Sequence, residues 1–168
     1  MAIIFELVIN YGLNKRAANE AADLVEAHPA LPVGPHLIPL HKPLLGTVSD
    51  TAGHPYLAMS VIPARVGWGV PLDRGSPHLP LTATELTELA TNLYELLATL
   101  TDYQAAIVGW DPESLVDPLE LRQHWSEELA TGELPGLVVA NHIHLPPTTT
   151  FERFTDTHKW IPYKGSTP

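Results

Sequence analysis

Leucines that recur at steps of three and four residues, followed at once by an uncharged run, most strongly constrain how this chain folds. They share one face of a helix: Leu86, Leu89, Leu93, Leu96, Leu97 and Leu100. Thr82 and Glu85 have the capping-box spacing that starts a helix. The run from Tyr103 to Trp110 carries no charge, which indicates a strand against a core. The stretch therefore predicts an amphipathic helix that leads directly into a buried strand.

The first thirty residues predict a strand followed by a helix. Residues 2–11 alternate apolar side chains on one face, and the apolar Ile4 and Val8 on the other face indicate a central strand covered on both sides. Asn14 is placed to cap the helix that follows. His28 and Pro29 end it, because proline disfavours helical backbone in the residue before it.

Two further strands complete the expected fold. Prolines interrupt residues 34–47, so that segment is expected at a sheet edge, paired as a hairpin with residues 54–62. The resulting βαββαβ order is the ferredoxin-like order. A helix from Asp117 to Gly132 and a strand over 136–145 would extend it. We expect an α+β fold: an antiparallel sheet of about five strands, with helices on one face and a C-terminal helix–strand extension.

The length fits one domain with an appendage. Residues 1–145 form the expected α+β domain. Residues 146–168 combine proline and threonine with Phe151, Phe154, Trp160 and Tyr163, which is too aromatic for a disordered tail. We expect this extension to dock on the domain or on a second subunit, where it would form a homo-oligomer.

Composition narrows the classes of function. The 168 residues include no cysteine, which excludes disulfides, thiolate metal sites and cysteine nucleophiles. No apolar run reaches the roughly 20 residues that span a bilayer, and the N-terminus lacks the basic region of a signal peptide. We expect a cytoplasmic protein with no membrane association and no cofactor.

The net charge of −10 is confined to one third of the chain. Residues 82–134 contain 11 acids and one base, Arg122, while the remainder is neutral. Such a surface repels the phosphates of nucleic acid and suits a basic protein surface. The simpler interpretation is a solvated helical face that keeps the protein soluble. If a partner binds here, the expected contacts are Glu113, Glu120, Trp125, Glu127 and Glu128, with Trp110 as a second aromatic anchor.

The long loop between residues 63 and 80 offers a second type of site. It has no periodicity, and loops of this length in compact domains are often functional. It carries Arg65, Trp68, Arg74 and His78 among glycines. Guanidinium groups beside an indole suit anionic or aromatic ligands. The alternative is a loop held down by its own tryptophan, because no phosphate-loop spacing is present.

His142 and His144 would leave the same face of the predicted fifth strand, as in many histidine metal sites. With nine histidines in the chain, such a pair also arises by chance. Lys15 and Arg16, in the first turn of the first helix, indicate another anion site or simply a tolerated mismatch with the helix dipole.

No nucleophile motif is present, and helix-surface glutamates are ordinarily solvated. We therefore favour a non-enzymatic protein-binding domain that presents its acidic helical face to a basic partner. A bacterial inhibitor or immunity-type protein would be one instance. The alternatives are a small anionic ligand binder or enzyme that uses the loop, and a histidine metal site.

Overall fold

The computed structural model describes residues 1–145 and 151–165. The chain has two long helices, α1 (Lys15–Glu26) and α2 (Ala83–Ala98), and two short helices later in the sequence, α3 (Pro118–His124) and α4 (Ser126–Thr131). One-turn 3-10 helices occupy Pro71–Asp73 and Glu113–Val116. The strands are β1 (Phe5–Asn10), β2 (Leu31–Val33), β3 (His36–Ile38), β4 (Leu44–Ser49), β5 (Pro55–Val61), β6 (Ala105–Trp110), β7 (Val138–Ala140), β8 (Glu152–Arg153) and β9 (His158–Trp160).

Seven of these strands form one antiparallel sheet in the order β4-β5-β1-β6-β7-β9-β8. Strands β2 and β3 pair separately as a hairpin between α1 and β4. The prediction of an α+β fold with an antiparallel sheet is confirmed. The sheet is larger than the five strands expected, and the inserted hairpin and the added strands leave no clear ferredoxin-like order.

Local sequence signals account for the two long helices. Thr82 and Glu85 form the predicted capping box at the start of α2. The Asn14 side chain accepts a hydrogen bond from the Ala17 amide at the start of α1. All six leucines of the repeat are buried, as predicted. These caps and apolar stripes act within a few residues of one another, which explains why the sequence alone locates both helices.

Both faces of the sheet are covered. We call α1 and α2 the first layer; they pack over the larger core, which includes Phe5, Leu7 and Ile9 of β1. We call the 3-10 helix at 113–116 together with α3 and α4 the second layer; it packs over a smaller core around Val8, Ile107 and Leu121. The expectation of helices on one face was therefore wrong. The apolar residues on both faces of β1 explain why: a strand buried on both sides needs two layers.

The proline-rich segment is split between two structures. Residues 31–38 form the separate β2–β3 hairpin, and β4 lies at the sheet edge as expected, paired with β5 from Leu44↔Ser60 to Ser49↔Pro55. Proline is tolerated at edges because an edge strand leaves half of its backbone groups unpaired. The edge position was correct for residues 44–47 only, and β4 itself contains no proline: Pro35 and Pro39 lie within and just after the separate hairpin, and Pro43 precedes β4.

The C-terminal elements are shorter than expected. The helix predicted from Asp117 to Gly132 is interrupted at Trp125. The strand predicted over 136–145 ends at Ala140, in a pairing of only two residues with β6. In the segment over residues 151–165, β9 and β8 extend the sheet past β7. Phe154, Trp160 and Tyr163 surround the ring of Tyr94 from α2. No helix in the described part of the chain has both the length and the apolar character to cross a bilayer.

Candidate functional site

The loop over residues 63–80 is ordered by its own contacts. Ile3 and Trp68 exchange two backbone hydrogen bonds of 2.9 Å, which fix the loop to the residues just before β1. The Asp73 carboxylate accepts hydrogen bonds from the Arg65 amide (2.9 Å) and from Nε2 of His41 (2.6 Å). This carboxylate therefore organises the loop from within.

Trp68 lies at the centre of an aromatic stack. Its ring stacks on His78 at 4.5 Å between centroids and on Trp110 at 5.5 Å, and Trp110 in turn meets Phe5 edge-on. The Trp68 side chain is still 46% exposed. The tryptophan thus holds the loop down on the first core, as the simpler interpretation expected, while part of its side chain stays in contact with solvent.

The structure brings the four predicted ligand-binding residues together. Arg65, Trp68, Arg74 and His78 line one cavity of about 290 Å³. Nε of Arg65 donates to the Pro77 carbonyl at 2.8 Å, and the backbone of Arg65 has a φ of 70°. Asp73 lines the same cavity. The cavity is therefore cationic overall, with one carboxylate that His41 partly compensates.

The predicted partner-binding residues all lie on the second layer. Glu113 and Glu127 are exposed, and Glu128 is half-buried. None of these three forms an ion pair with another described residue. Glu120 is different, because it accepts a hydrogen bond from the Thr51 hydroxyl at 2.9 Å. Trp125 is half-buried and packs against the second core.

The acids of the first layer are used differently. Glu88 accepts a hydrogen bond from the Gly34 amide at 2.9 Å. Glu85 caps α2 and lies 3.7 Å from Nε2 of His36. The 11 acids of residues 82–134 thus occur on both sides of the sheet, and those at the start of α2 are engaged in internal contacts. Exposed acids with no ion pair among the described residues also lie on the first layer, at Asp23, Glu26 and Glu95, but the second layer gathers Glu113, Glu127 and Glu128 with Arg122 as its one basic residue.

The two histidines predicted to bind a metal ion do not share a strand. Because β7 ends at Ala140, His142 lies in the turn that follows and His144 lies beyond it. The alternation that would place both side chains on one face therefore does not apply. Within residues 1–145 and 151–165, no group of three or more histidines and acids is arranged to hold a metal ion. The His144 carbonyl accepts a hydrogen bond from Nε of Arg122.

Sequence reasoning missed the largest cavity, about 660 Å³, where β1 ends and β6 begins. Its lining includes Tyr11, Tyr103, His142 and His158. Both tyrosines are 1% exposed, and neither hydroxyl has a hydrogen-bond partner among the described residues. Burial raises the pKa of both phenols, so they stay protonated at neutral pH.

His158 closes the inner wall of this cavity. Its ring stacks on Tyr103 at 3.8 Å, and its Nε2 lies 2.8 Å from the Tyr103 carbonyl. A carbonyl can only accept, so Nε2 carries the proton. Burial lowers the pKa of His158, which favours the neutral ring. The pairing of Asn10 with Ala105 brings these side chains together, and that register was not available from the sequence.

Glu6 is a buried carboxyl group beneath the second layer. Burial raises its pKa to about 7, a hydrogen bond from Ser60 opposes this, and the charges of Glu113 and Asp111 raise it further. The Asp111 carboxylate also accepts a hydrogen bond from the Ile4 amide. The only sign of this group in the sequence is one acid within an apolar strand.

Comparison of this chain with family models, with curated proteins and with solved structures gives no match.

Proposed function

We propose that this protein is a non-enzymatic binding domain of the cytoplasm that docks a basic protein surface on its second layer. One observation carries the proposal: the exposed carboxylates of this layer lack cationic partners among the described residues, whereas those at the start of α2 are engaged internally. Unpaired charges of one sign raise the rate of encounter with an oppositely charged surface.

The surroundings of these carboxylates favour a basic partner over a bound small cation. The one basic residue in this part of the sequence, Arg122, directs its Nε toward the His144 carbonyl. Trp125 lies between α3 and α4 with part of its ring exposed, where an aromatic anchor would lie beside acidic neighbours. An inhibitor or immunity-type protein that covers a basic toxin surface would need such an acidic surface with an aromatic anchor.

A charge-neutralised variant with a matched control tests the proposal. The test variant carries Glu113→Gln, Glu127→Gln and Glu128→Gln. The control carries Asp23→Asn, Glu26→Gln and Glu95→Gln on the exposed surface of the first layer, and has the same net charge. Each protein is immobilised, and proteins from the source organism are bound at low and at high salt. We expect one basic protein to bind wild type and control at low salt, and to bind the test variant at least about tenfold more weakly.

Direct titration of that protein against all three chains gives the affinities. Equal weakening in the two variants would mean that only net charge matters. Equal binding by all three chains, or binding that does not weaken with salt, would remove the basis of the proposal. Melting temperatures confirm that each variant is folded, because Glu127 and Glu128 also lie at the start of α4.

A second candidate function is supported by the cavity at the loop. We propose that Arg65, Trp68, Arg74 and His78 bind a small anion with a planar group, with the anion between the guanidinium groups and the planar group against the exposed part of the Trp68 side chain. The support is that four residues chosen from the sequence line one cavity. Phenyl phosphate is a suitable probe, and it should raise the melting temperature of wild type. Arg65→Ala should abolish that rise, and an unchanged rise would dismiss this candidate.

We further propose that β1, α1, β4, β5, α2 and β6 correspond to a ferredoxin-like unit to which other elements were added. The support is the neighbour order β4-β5-β1-β6 within the larger sheet.

A further inference from the structure

The two edges of the seven-stranded sheet differ in how they are protected. Strand β8 has only two residues, and both are charged, Glu152 and Arg153. Strand β4 has six residues, LLGTVS, none of them charged. Within the part of the chain that the structure describes, β4 pairs only with β5. Short or charged edges prevent pairing with other chains, so β8 is protected and β4 is open.

The free side of β4 presents regular backbone donors and acceptors. The Asp50 amide donates to the His54 carbonyl, and hydrogen-bonded pairs alternate along an antiparallel ladder. Leu44, Gly46 and Val48 therefore direct their backbone groups toward β5. Leu45, Thr47 and Ser49 direct theirs away from it. Pro55, which has no N–H, lies opposite Ser49 at a position where none is needed.

The side chains of β4 are also exposed. Leu44 is 51% exposed and Val48 is 43% exposed, and the two lie on the same face, two residues to either side of Gly46. Gly46 has an ordinary backbone conformation, and a Cβ placed on it would meet no atom within 4 Å. Glycine weakens a strand, and nothing among the described residues requires it here. The close approach of another backbone is one established reason for such a glycine.

We propose that β4 pairs with β4 of a second copy of this chain, antiparallel and centred on Gly46, to form a symmetric dimer. In this register Leu44 of each copy lies opposite Val48 of the other, so the exposed apolar side chains cover one another. Leu45 and Thr47 exchange backbone hydrogen bonds between copies. A twofold interface of this kind is closed, which leaves β8 at both outer edges and prevents further growth.

Charge complementarity selects this register and this partner. In this register Lys42 of one copy lies opposite Asp50 of the other at each end of the paired strands. Lys42 is exposed and forms no ion pair with another described residue. The net charge of −10 does not oppose the contact within the paired strands, because residues 43–49 are uncharged.

The hairpin that carries β4 is held in place before any contact is made. The Asp50 carboxylate accepts hydrogen bonds from the Ala52 and His54 amides within the turn. Thr51 donates from its amide and its hydroxyl to Asp117 of the second layer, both at 3.1 Å. Little ordering is therefore needed on association. This proposal is independent of the acidic binding surface.

A single introduced cysteine tests the register. The natural chain has no cysteine, so Gly46→Cys places one thiol opposite its own copy. The two Cα atoms of a non-hydrogen-bonded pair lie about 4.5 Å apart, within the range of a disulfide. We expect Gly46→Cys to form a disulfide-linked dimer in a mild redox buffer. Ser49→Cys, which is displaced along the strand from its own copy, should remain monomeric on a non-reducing gel. Equal cross-linking of both variants, or none in Gly46→Cys, would overturn the register.

The mass in solution tests the dimer itself. Sedimentation equilibrium over about a 1000-fold range of protein concentration should show wild type rising toward twice the 18.3 kDa of one chain. Thr47→Pro removes an N–H that points away from β5 and should weaken dimerisation at least about tenfold. Thr47→Val retains the N–H and should dimerise like wild type.

Val48→Lys is a second test that does not depend on the folding of Thr47→Pro. Position 48 is exposed, so the lysine should not disturb the fold of one chain. It places two cations beside the apolar contact and should also yield monomers. A wild type that is monomeric throughout the range would overturn the proposal. So would dimers that persist unchanged in both Thr47→Pro and Val48→Lys.

Discussion

The two layers that cover the sheet are built from different kinds of buried groups. The core under the first layer is formed by apolar and aromatic side chains, with α2 contributing most of its leucines. Under the second layer, the polar side chains of Glu6, Asn10 and Asp117 are also buried. Asn10 donates to the Val116 carbonyl, and Asp117 accepts from Thr51 and from the Leu119 amide. The first layer is held mainly by apolar burial and the second partly by directed hydrogen bonds.

The two layers also differ in what their acidic side chains contact. Glu85 and Glu88 of the first layer are engaged in internal contacts, whereas Glu113 and Glu127 of the second layer project into solvent. A thin layer fixed by a few hydrogen bonds can carry many like charges, because the larger core on the other face supplies most of the apolar burial. Three sets of substitutions, taken from the largest expected effect to the smallest, and one pH series test this division.

The largest effect is expected from leucine-to-alanine substitutions in the two layers. Leu97 of α2 and Leu121 of α3 are both fully buried. We expect Leu97→Ala to lower the free energy of unfolding by about 4 kcal/mol and Leu121→Ala by about 2–3 kcal/mol. A short helix on the outside of the sheet can move inward to fill part of the space, whereas the sixteen-residue α2 cannot. Urea unfolding of both variants measures the difference, and a larger loss at Leu121 would contradict this contrast.

The next effect concerns the hydrogen bonds that fix the second layer. Asn10→Ala leaves the buried Val116 carbonyl and the Gly12 amide without the side-chain partners they have at 2.8 and 2.7 Å. We expect a loss of about 2–3 kcal/mol, because buried polar groups left unpaired retain their cost of desolvation. Asn19→Ala on the exposed face of α1 is the control and should change stability by less than about 0.5 kcal/mol. Thermal unfolding of the two variants distinguishes them.

A smaller effect comes from hydroxyl groups in the first core. The Tyr94 hydroxyl accepts from the Val108 amide at 3.1 Å and donates to the Gly136 carbonyl at 2.8 Å. Tyr94→Phe should therefore cost about 1–2 kcal/mol. Tyr103→Phe removes a hydroxyl that has no partner among the described residues, and should leave stability unchanged or raise it by up to about 1 kcal/mol. A clear loss in Tyr103→Phe would show that its hydroxyl does form a hydrogen bond in solution.

The last test depends on pH and concerns Glu6. Burial raises its pKa from 4.5 to about 7, so the fold favours the protonated form. The stabilisation is fully present below the unfolded-state pKa of 4.5 and is lost as the pH rises through 7. Glu6→Gln keeps a neutral side chain at every pH. The stability of wild type should therefore fall relative to Glu6→Gln across this window, and parallel pH profiles would contradict the assignment.

Features that depend on neighbouring residues in the chain were predictable. The Asn14 cap and the capping box of Thr82 and Glu85 formed where the sequence indicated. The loop residues Arg65 and Trp68 were selected from composition alone, and they do line one cavity. The length of β7 was not predictable, because its pairing with β6 covers only two residues, and the apolar alternation of the sequence continues through residues 141–145 beyond the last paired residue, Ala140.

By itself, the sequence determined the two long helices and the central position of β1, because caps and apolar periodicity act locally. Tertiary structure alone decided that Tyr11 packs against Tyr103, that Glu6 is buried beneath Glu113, and which acidic side chains are exposed to solvent. These outcomes depend on strand register and on which layer covers which face. Both are set by contacts between residues about 100 positions apart, and no local pattern records them.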